Sequence, residues 1–373
     1  MKNLLFTLLF LPSLSKAQRS IVSRFDSLMQ AEVAAWQFNG CVLVAQSGNV
    51  IYQKPFGYRN YTTKEPLDNN SVFELASISK QFTAMGILLL KEKGKLDLSD
   101  TLRKFFPELP YHNITIRHML THTSGLPIYG GVLKNWQSNR IAFNQDVIDH
   151  LSKEKPPLLF EPGEKWQYSN TAFVLLASII EKVSGKSFKE YMELNIFRPL
   201  KMQYSRVYNT RRSGETIPNY AYGYVYSDSL NRYILPDSLA KHSLIVHLDG
   251  VQGDRIINST TGDLLKWDRA LKNHTLLSKA LQKEMLSPQV ALDTASHLYQ
   301  LTQTKYYGYG IGVGEDKYGS YIRHGGSWPG YWTEYIRYID KDITIIILSN
   351  NRTNSSVNIL KILEGLAGIT IDK

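Results

Sequence analysis

The chain has 373 residues, with 43 basic and 33 acidic side chains and a net charge of +10. That length can bury a large core and divides most simply into two lobes, while a single cysteine, Cys41, excludes an intramolecular disulfide. The positive charge is diffuse, without a basic block or a recognised motif, which argues against nucleic-acid binding and leaves a weak preference for anionic surfaces such as a cell envelope.

The N-terminus, MKNLLFTLLFLPSLSKAQ, carries one early lysine, a short apolar run from Leu4 to Leu11, and small residues up to Ala17. This pattern predicts a secretory signal peptide over residues 1–17, cut after Ala17, and hence an exported protein, periplasmic or secreted. The run is far below the roughly 20 residues that span a bilayer. Phe173–Ile180 and Ile343–Leu348 are also too short, so no transmembrane segment is expected in the mature chain.

Residues 18–36 repeat apolar positions at helical spacing (Ile21, Val22, Phe25, Leu28, Met29, Val33) and predict an amphipathic helix ended by Gly40. Val42–Ala45 and Val50–Tyr52, joined by Gln46-Ser-Gly-Asn49, predict a β-hairpin with a Gly-Asn turn. A helical period runs from Ser77 through Ile78, Phe82, Met85, Leu88 and Leu89 to a stop at Gly94. Helices are expected over Ile116–Thr121, Asn144–Ser152, Thr171–Val183, Ser187–Ile196 and Thr261–Lys272, punctuated by prolines. After about residue 305 the pattern turns to strands: Tyr309–Gly314, Tyr318–His324, Thr333–Tyr338 and Ile343–Leu348, then a closing helix over Asn354–Leu366. The expected fold class is α/β of the α+β type. An antiparallel sheet formed by the first hairpin and the late strands is flanked by helices, and the middle of the chain makes a mostly helical second lobe. The cleft between lobes is the place to look for a ligand site.

Three short motifs carry chemistry. Ser77-Ile-Ser-Lys80 puts a serine and a lysine three residues apart on one helix face, so the amine can take the hydroxyl proton. The spacing is cheap, recurring at Ser13/Lys16, Ser152/Lys155 and Ser238/Lys241, so context must single it out. The second motif is Tyr168-Ser-Asn170, at the end of a Pro-Gly loop, and the third is His324-Gly-Gly-Ser327, at the end of a strand. Tyr-x-Asn also occurs at Tyr58/Asn60 and Tyr111/Asn113, whereas His-Gly-Gly occurs once.

In this order the motifs resemble the serine β-lactamase-like superfamily, which includes the penicillin-binding DD-peptidases. The branch around class C β-lactamases, DD-carboxypeptidases, D-aminopeptidases and related esterases is most similar. Flanking segments share the resemblance: Phe73–Lys80, Met119–Pro127, Pro162-Gly163 with Trp166, and Ser259–Leu264 with Trp267. The resemblance implies a single catalytic domain over 18–373, its α/β lobe made from 18–75 and about 300–373, its helical lobe from about 76–299. It implies acyl transfer through Ser77, with Lys80 or Tyr168 as general base. Asn170 would hold Lys80 or a substrate amide, and His324, Gly325 and Gly326 would line the substrate. The oxyanion would sit between the backbone N–H groups of Ser77 and Ser327. The glycines are expected to be small so that an acyl group can lie against the strand edge.

Two departures bear on substrate. Gly253-Asp-Arg-Ile-Ile257 replaces the paired glycines of many members, so Ile256 would narrow the site if it borders it. A histidine in the third motif is cationic only near or below its pKa, unlike lysine, which argues against strong β-lactamase action. The expected substrate is a small molecule or a peptide amide, from the cell wall or another D-amino-acid source. A carboxylesterase, a β-lactamase and a penicillin-sensing module without turnover are the alternatives. No cofactor is expected. His118 and His122, four apart on an expected helix, lack the acid that a zinc site would need between them. Gly308-Tyr-Gly-Ile-Gly312 is followed by no helix and is not a nucleotide loop. The chain is expected to act as a monomer.

Overall fold

The structure is a computed structural model and describes residues 16–36, 38–130, 140–208, 215–239, 242, 244–352 and 357–371. Helix α1 (Lys16–Trp36) leads into the hairpin β1 (Gly40–Gln46) and β2 (Asn49–Phe56). The turn's central residues are Ser47 and Gly48, both at positive φ, rather than Gly-Asn. Both φ values are positive as in a type I′ turn, whose twist suits a hairpin. Of the expected signal peptide, residues 1–15 lie outside the described residues, as does the expected start of the closing helix at Asn354.

The main helices of the middle are α2 (Ser79–Glu92), α3 (Asn170–Ser184) and α4 (Thr261–Asn273). Then come β3 (Val290–Ala291), α5 (His297–Thr302), β4 (Tyr306–Tyr307), β5 (Gly312–Asp316), β6 (Gly319–Trp328), β7 (Tyr331–Tyr338), β8 (Ile343–Ser349) and α6 (Val357–Ile371). The eight strands form one antiparallel sheet in the order β3-β4-β5-β6-β7-β8-β1-β2. As expected, the first hairpin joins the late strands, with Leu43 opposite Ile346 and Ile346 opposite Tyr335.

Alternation explains why Ile343–Leu348 is apolar at every position but Thr344. Ile343, Ile345 and Ile347 face α1 and α6, packing with Phe25, Met29, Leu363 and Leu366. Ile346 and Leu348 face the other way, into a core with α2, α3 and α4. A strand covered on both faces carries apolar residues on both of them rather than in strict alternation with polar ones. Every residue of α2 from Ser79 to Leu90 is buried, so this helix runs through the middle of the larger core.

The expected strand Tyr309–Gly314 is broken. Gly310 has φ +71, and a Cβ there would lie 2.7 Å from the Lys80 carbonyl oxygen. The Tyr-Gly-Tyr-Gly stretch is therefore a bend pressed against the start of α2, with short strands on either side.

Candidate active site

Ser77 sits in a single 3-10 turn, Ala76–Ile78, immediately before α2. Ala76 has φ +49, a left-handed conformation that a non-glycine residue adopts at a cost of about 1 kcal/mol or more. Packing holds it there. Leu75 N–H donates to Ile257 O, and the Leu75 carbonyl accepts from the Thr333 hydroxyl at 2.8 Å. The turn is thus tied to the strand Ile257–Ser259 on one side and to β7 on the other.

Lys80 lies one turn into α2. Its Nζ donates to Ser77 Oγ at 3.2 Å and to the Asp254 carbonyl at 2.8 Å. The side chain is fully buried, with Nζ 4.9 Å from the centre of the Tyr168 ring and 5.5 Å from that of Phe173. Burial, helped by the Arg255 guanidinium and opposed by Asp254, pushes its pKa down to about 7. At neutral pH a large fraction of Lys80 is therefore an uncharged amine, able to accept a proton.

Tyr168 hydrogen-bonds Ser77 as well. Burial raises its pKa above the ordinary phenol value; the Ser77 hydrogen bond lowers it and Asp254 raises it further. The phenol is therefore neutral, and can relay a proton but not act as a resident phenolate. Asn170 opens α3, and Ser169 caps it by accepting from Ala172 N–H. Asn170 is exposed at the cleft and makes no hydrogen bond to Lys80; the Asp254 carbonyl occupies that place.

The third motif lies at the end of β6. β5 pairs with β6 only from Gly319 to Arg323, so His324–Trp328 is bonded to β7 on one side and open on the other. Gly326 lies beside the turn that carries Ser77. A Cβ there would fall 2.2 Å from Leu75 O, 2.3 Å from Thr333 Oγ1 and 3.1 Å from Ser77 N. The expected reason for its small size, room for substrate, gives way to a tighter one: the strand and the turn carrying Ser77 touch through backbone. Ser327, the next residue, is exposed on the cleft.

Sequence reasoning missed the residues behind His324. Ser169 N–H donates to His122 Nδ1 at 3.0 Å, so His122 carries its proton on Nε2 and donates to Tyr307 Oη at 3.2 Å. Tyr307 donates to His324 Nε2 at 2.9 Å, and His324 Nδ1–H donates to Gly325 O at 2.7 Å. Both nitrogens of His324 are thus engaged. Burial, Lys80 and Arg323, against the Gly325 carbonyl, bring its pKa down to about 3, so the ring is neutral. Burial together with Lys80 and His324 also keeps His122 well below the usual histidine range.

The expected helical pairing of His118 with His122 does not occur. The helix stops at Leu120, and His122 turns inward with φ +60. His118 instead accepts the Thr115 N–H at the start of that helix. Ile256, expected to narrow the site if it bordered it, has φ +81 and is buried in the core. Its neighbours act at the site instead. Asp254 gives its carbonyl to Lys80 and its carboxylate to the Tyr129 hydroxyl at 2.8 Å. Arg255 stacks over Trp328 at 4.1 Å. The signals were present in His122-Thr-Ser-Gly, Asp254-Arg255 and Tyr307, but their partners are far away in sequence.

Ser77, Tyr168, Asn170, His324, Gly325, Gly326 and Ser327 all line one cavity of about 790 Å³. Among the described residues no group of three or more His, Cys, Asp or Glu is placed to hold a metal ion. Such a site can take a carbonyl compound against the open strand edge and present it to a serine with an unprotonated amine beside it.

A family model described as Beta-lactamase matches residues 25–368. The chain belongs to the beta-lactamase family. This member is 47% identical over 321 residues to Penicillin-binding protein 4* of Bacillus subtilis (strain 168), a match covering 86% of this chain and 69% of that protein. The penicillin binding protein from Bacillus halodurans superposes with a TM-score of 0.78 at 25% identity, covering 92% of this chain and 98% of that one. The D-amino acid amidase from Ochrobactrum anthropi SV3 complexed with L-phenylalanine amide shares the fold at a TM-score of 0.76 and 23% identity, covering 94% and 97%. The chain is thus a serine hydrolase of the beta-lactamase type, on the sheet-and-helix fold of these neighbours.

Proposed function

We propose that this beta-lactamase family member is an exported hydrolase of cell-wall peptides or other D-amino-acid amides, acting through an acyl-Ser77 intermediate. The observation that carries the reading is the 3.2 Å contact between Ser77 Oγ and the buried Lys80 amine, whose pKa is about 7. Ser77 Oγ attacks the carbonyl carbon while Lys80 takes the hydroxyl proton. Negative charge gathers on the carbonyl oxygen between the N–H groups of Ser77 and Ser327. The carbonyl re-forms as the amine leaves, with the proton returned through Lys80 and the neutral Tyr168 phenol. Water then attacks the ester along the same proton path in reverse. Asn170 is a donor and acceptor for a substrate amide at the cleft. The likeness to a penicillin-binding protein supports an amide substrate, since a β-lactam is a cyclic amide. Export rests on the leader-like residues 1–17.

A second reading is a carboxylesterase. It is favoured by the neutral His324, which supplies no cation for a substrate carboxylate such as a carboxypeptidase or β-lactamase would bind. Intact-mass spectrometry with a penicillin and with a serine-hydrolase probe tests both. A covalent adduct is expected on the native chain and none on Ser77→Ala. If neither reagent labels the native chain, the acyl-serine mechanism fails. Faster turnover of short p-nitrophenyl esters than of D-amino-acid amides would select the esterase.

A further inference from the structure

The cavity does not stop at the face of the sheet that carries Ser77. It wraps around the open edge of β6 and continues on the opposite face. Side chains alternate along a strand. His324 and Gly326 point towards Tyr307 and the Ser77 turn. Arg323 and Gly325 point the other way, and Glu334, opposite Gly325 on β7, shares that second face. Arg323, Glu334, Trp332, Leu301 and Leu360 line the cavity there.

Arg323 and Glu334 form a salt bridge of 2.7 Å, their side chains only 9% and 3% accessible. Both the Nε and the Nη2 of Arg323 donate to the same oxygen, Glu334 Oε1. Among the described residues, Arg323 Nη1 and Glu334 Oε2 have no protein partner, and neither is sealed from the cavity. Gly325 makes this possible. A Cβ at that position would lie 2.8 Å from Glu334 Oε2, so the absence of a side chain lets the carboxylate reach the strand edge.

We propose that Arg323 and Glu334 form a specificity subsite for a substrate side chain, on the sheet face opposite Ser77. The inference rests on the peptide-hydrolase reading above. A peptide laid along the open edge of β6 adds as a strand, so neighbouring residues point to opposite faces. One faces the Ser77 side; the next enters the Arg323–Glu334 side. The pair is neutral as a whole and offers one free donor and one free acceptor. A singly charged side chain would bring an unbalanced charge into a nearly closed site. A net-neutral head that both accepts and donates satisfies both free atoms. It can be a carboxamide or an amino-acid head bearing ammonium and carboxylate together.

The experiment is a series of acyl-peptide thioesters varied at each of the two residues on the acyl side of the scissile bond. Glutamine, a side chain ending in an amino-acid head, lysine, glutamate and leucine are compared by kcat/KM on the native enzyme. At one of the two positions, and not both, glutamine or the zwitterion is expected to exceed lysine and glutamate by roughly 10-fold or more. Whichever of the two wins identifies the head group. Preference for lysine or glutamate, or values within about twofold throughout, overturns the subsite. The double variant R323Q/E334Q, with its fold checked by melting, is expected to flatten the preference, and an unchanged preference in a folded double variant counts against the pair. Probe labelling of Ser77 on the native enzyme separates the two claims. A labelled enzyme with a flat series loses only the subsite, whereas an unlabelled one loses the hydrolase reading beneath it.

Discussion

Lys80 shows how a residue can be costly for the fold and useful for chemistry. The unfolded lysine titrates near 10.4, the folded one near 7, so between these values the folded protein holds fewer protons than the unfolded chain. Stability therefore rises with pH through that window and is lowest below it. Lys80→Met, similar in volume, should stabilise the protein by about 2 kcal/mol or more at pH 7, and the gain should fade as pH rises towards 10. Denaturant titration at several pH values checks this. The same variant should lose about 10²-fold or more in acylation rate. In the native enzyme kcat/KM should fall on the acid side with an apparent pKa near 7, the limb belonging to Lys80 and not to His324. The Ser77–Lys80 pair and Tyr168 were legible in the sequence because their spacing and order are local signals. The roles of His122 and Tyr307 were not. Their chemistry depends on partners 47 and 17 residues away, Ser169 and His324, which only the folded chain brings near.

At the scale of elements, the site is a meeting of a strand with a helix start. β6 approaches the Ser77 turn so closely at Gly326 that any side chain would displace one of them. Gly326→Ala should cost about 1–3 kcal/mol from overpacking. A shift of about 1 Å between Ser77 and Ser327 is enough to lower acylation about 10²-fold. Stopped-flow measurement of the acylation burst, alongside melting, separates the two effects; unchanged kinetics would mean that the contact is not a working one. The pattern of apolar residues located α1, α2, α3 and the long strands well. It missed β3, α5 and the break before β5. β3 and α5 are short, and no buried stripe marks them. In the Tyr-Gly bend, packing against α2 overrides the β-forming tendency of tyrosine.

Across the whole molecule, the sheet is joined to the helices by an ion network as well as by apolar cores. Asp342, between β7 and β8, pairs with Arg269 at 2.8 Å, Arg337 at 2.7 Å and Lys272, while Asp268 of α4 pairs with Arg337 at 3.1 Å. Burial pushes the Asp342 carboxyl up, but Arg269, Lys272 and Arg337 outweigh it and hold it well below the usual carboxylate range. Its contribution is therefore full above about pH 4 and is lost as pH falls further. Asp342→Asn should cost about 3 kcal/mol at pH 7, leaving Lys272 without its anion and Arg269 and Arg337 to share Asp268, and the difference from the native chain should narrow below about pH 4 in acid unfolding. In the sequence Asp342 is only a residue between two expected strands, since two of its partners lie on a helix some 70 residues earlier. The joining of the first hairpin to the late strands was legible, because both runs are apolar and neither can be covered locally.

The run from Ser169 through His122, Tyr307 and His324 to Gly325 begins at a backbone N–H and ends at a backbone carbonyl. Neither end can reverse its role, so every proton between them has one possible seat. Such a row cannot conduct a proton from one side of the cleft to the other. It works as a brace of fixed polarity, holding the start of α3 and the open edge of β6 at a set distance whatever the solvent does.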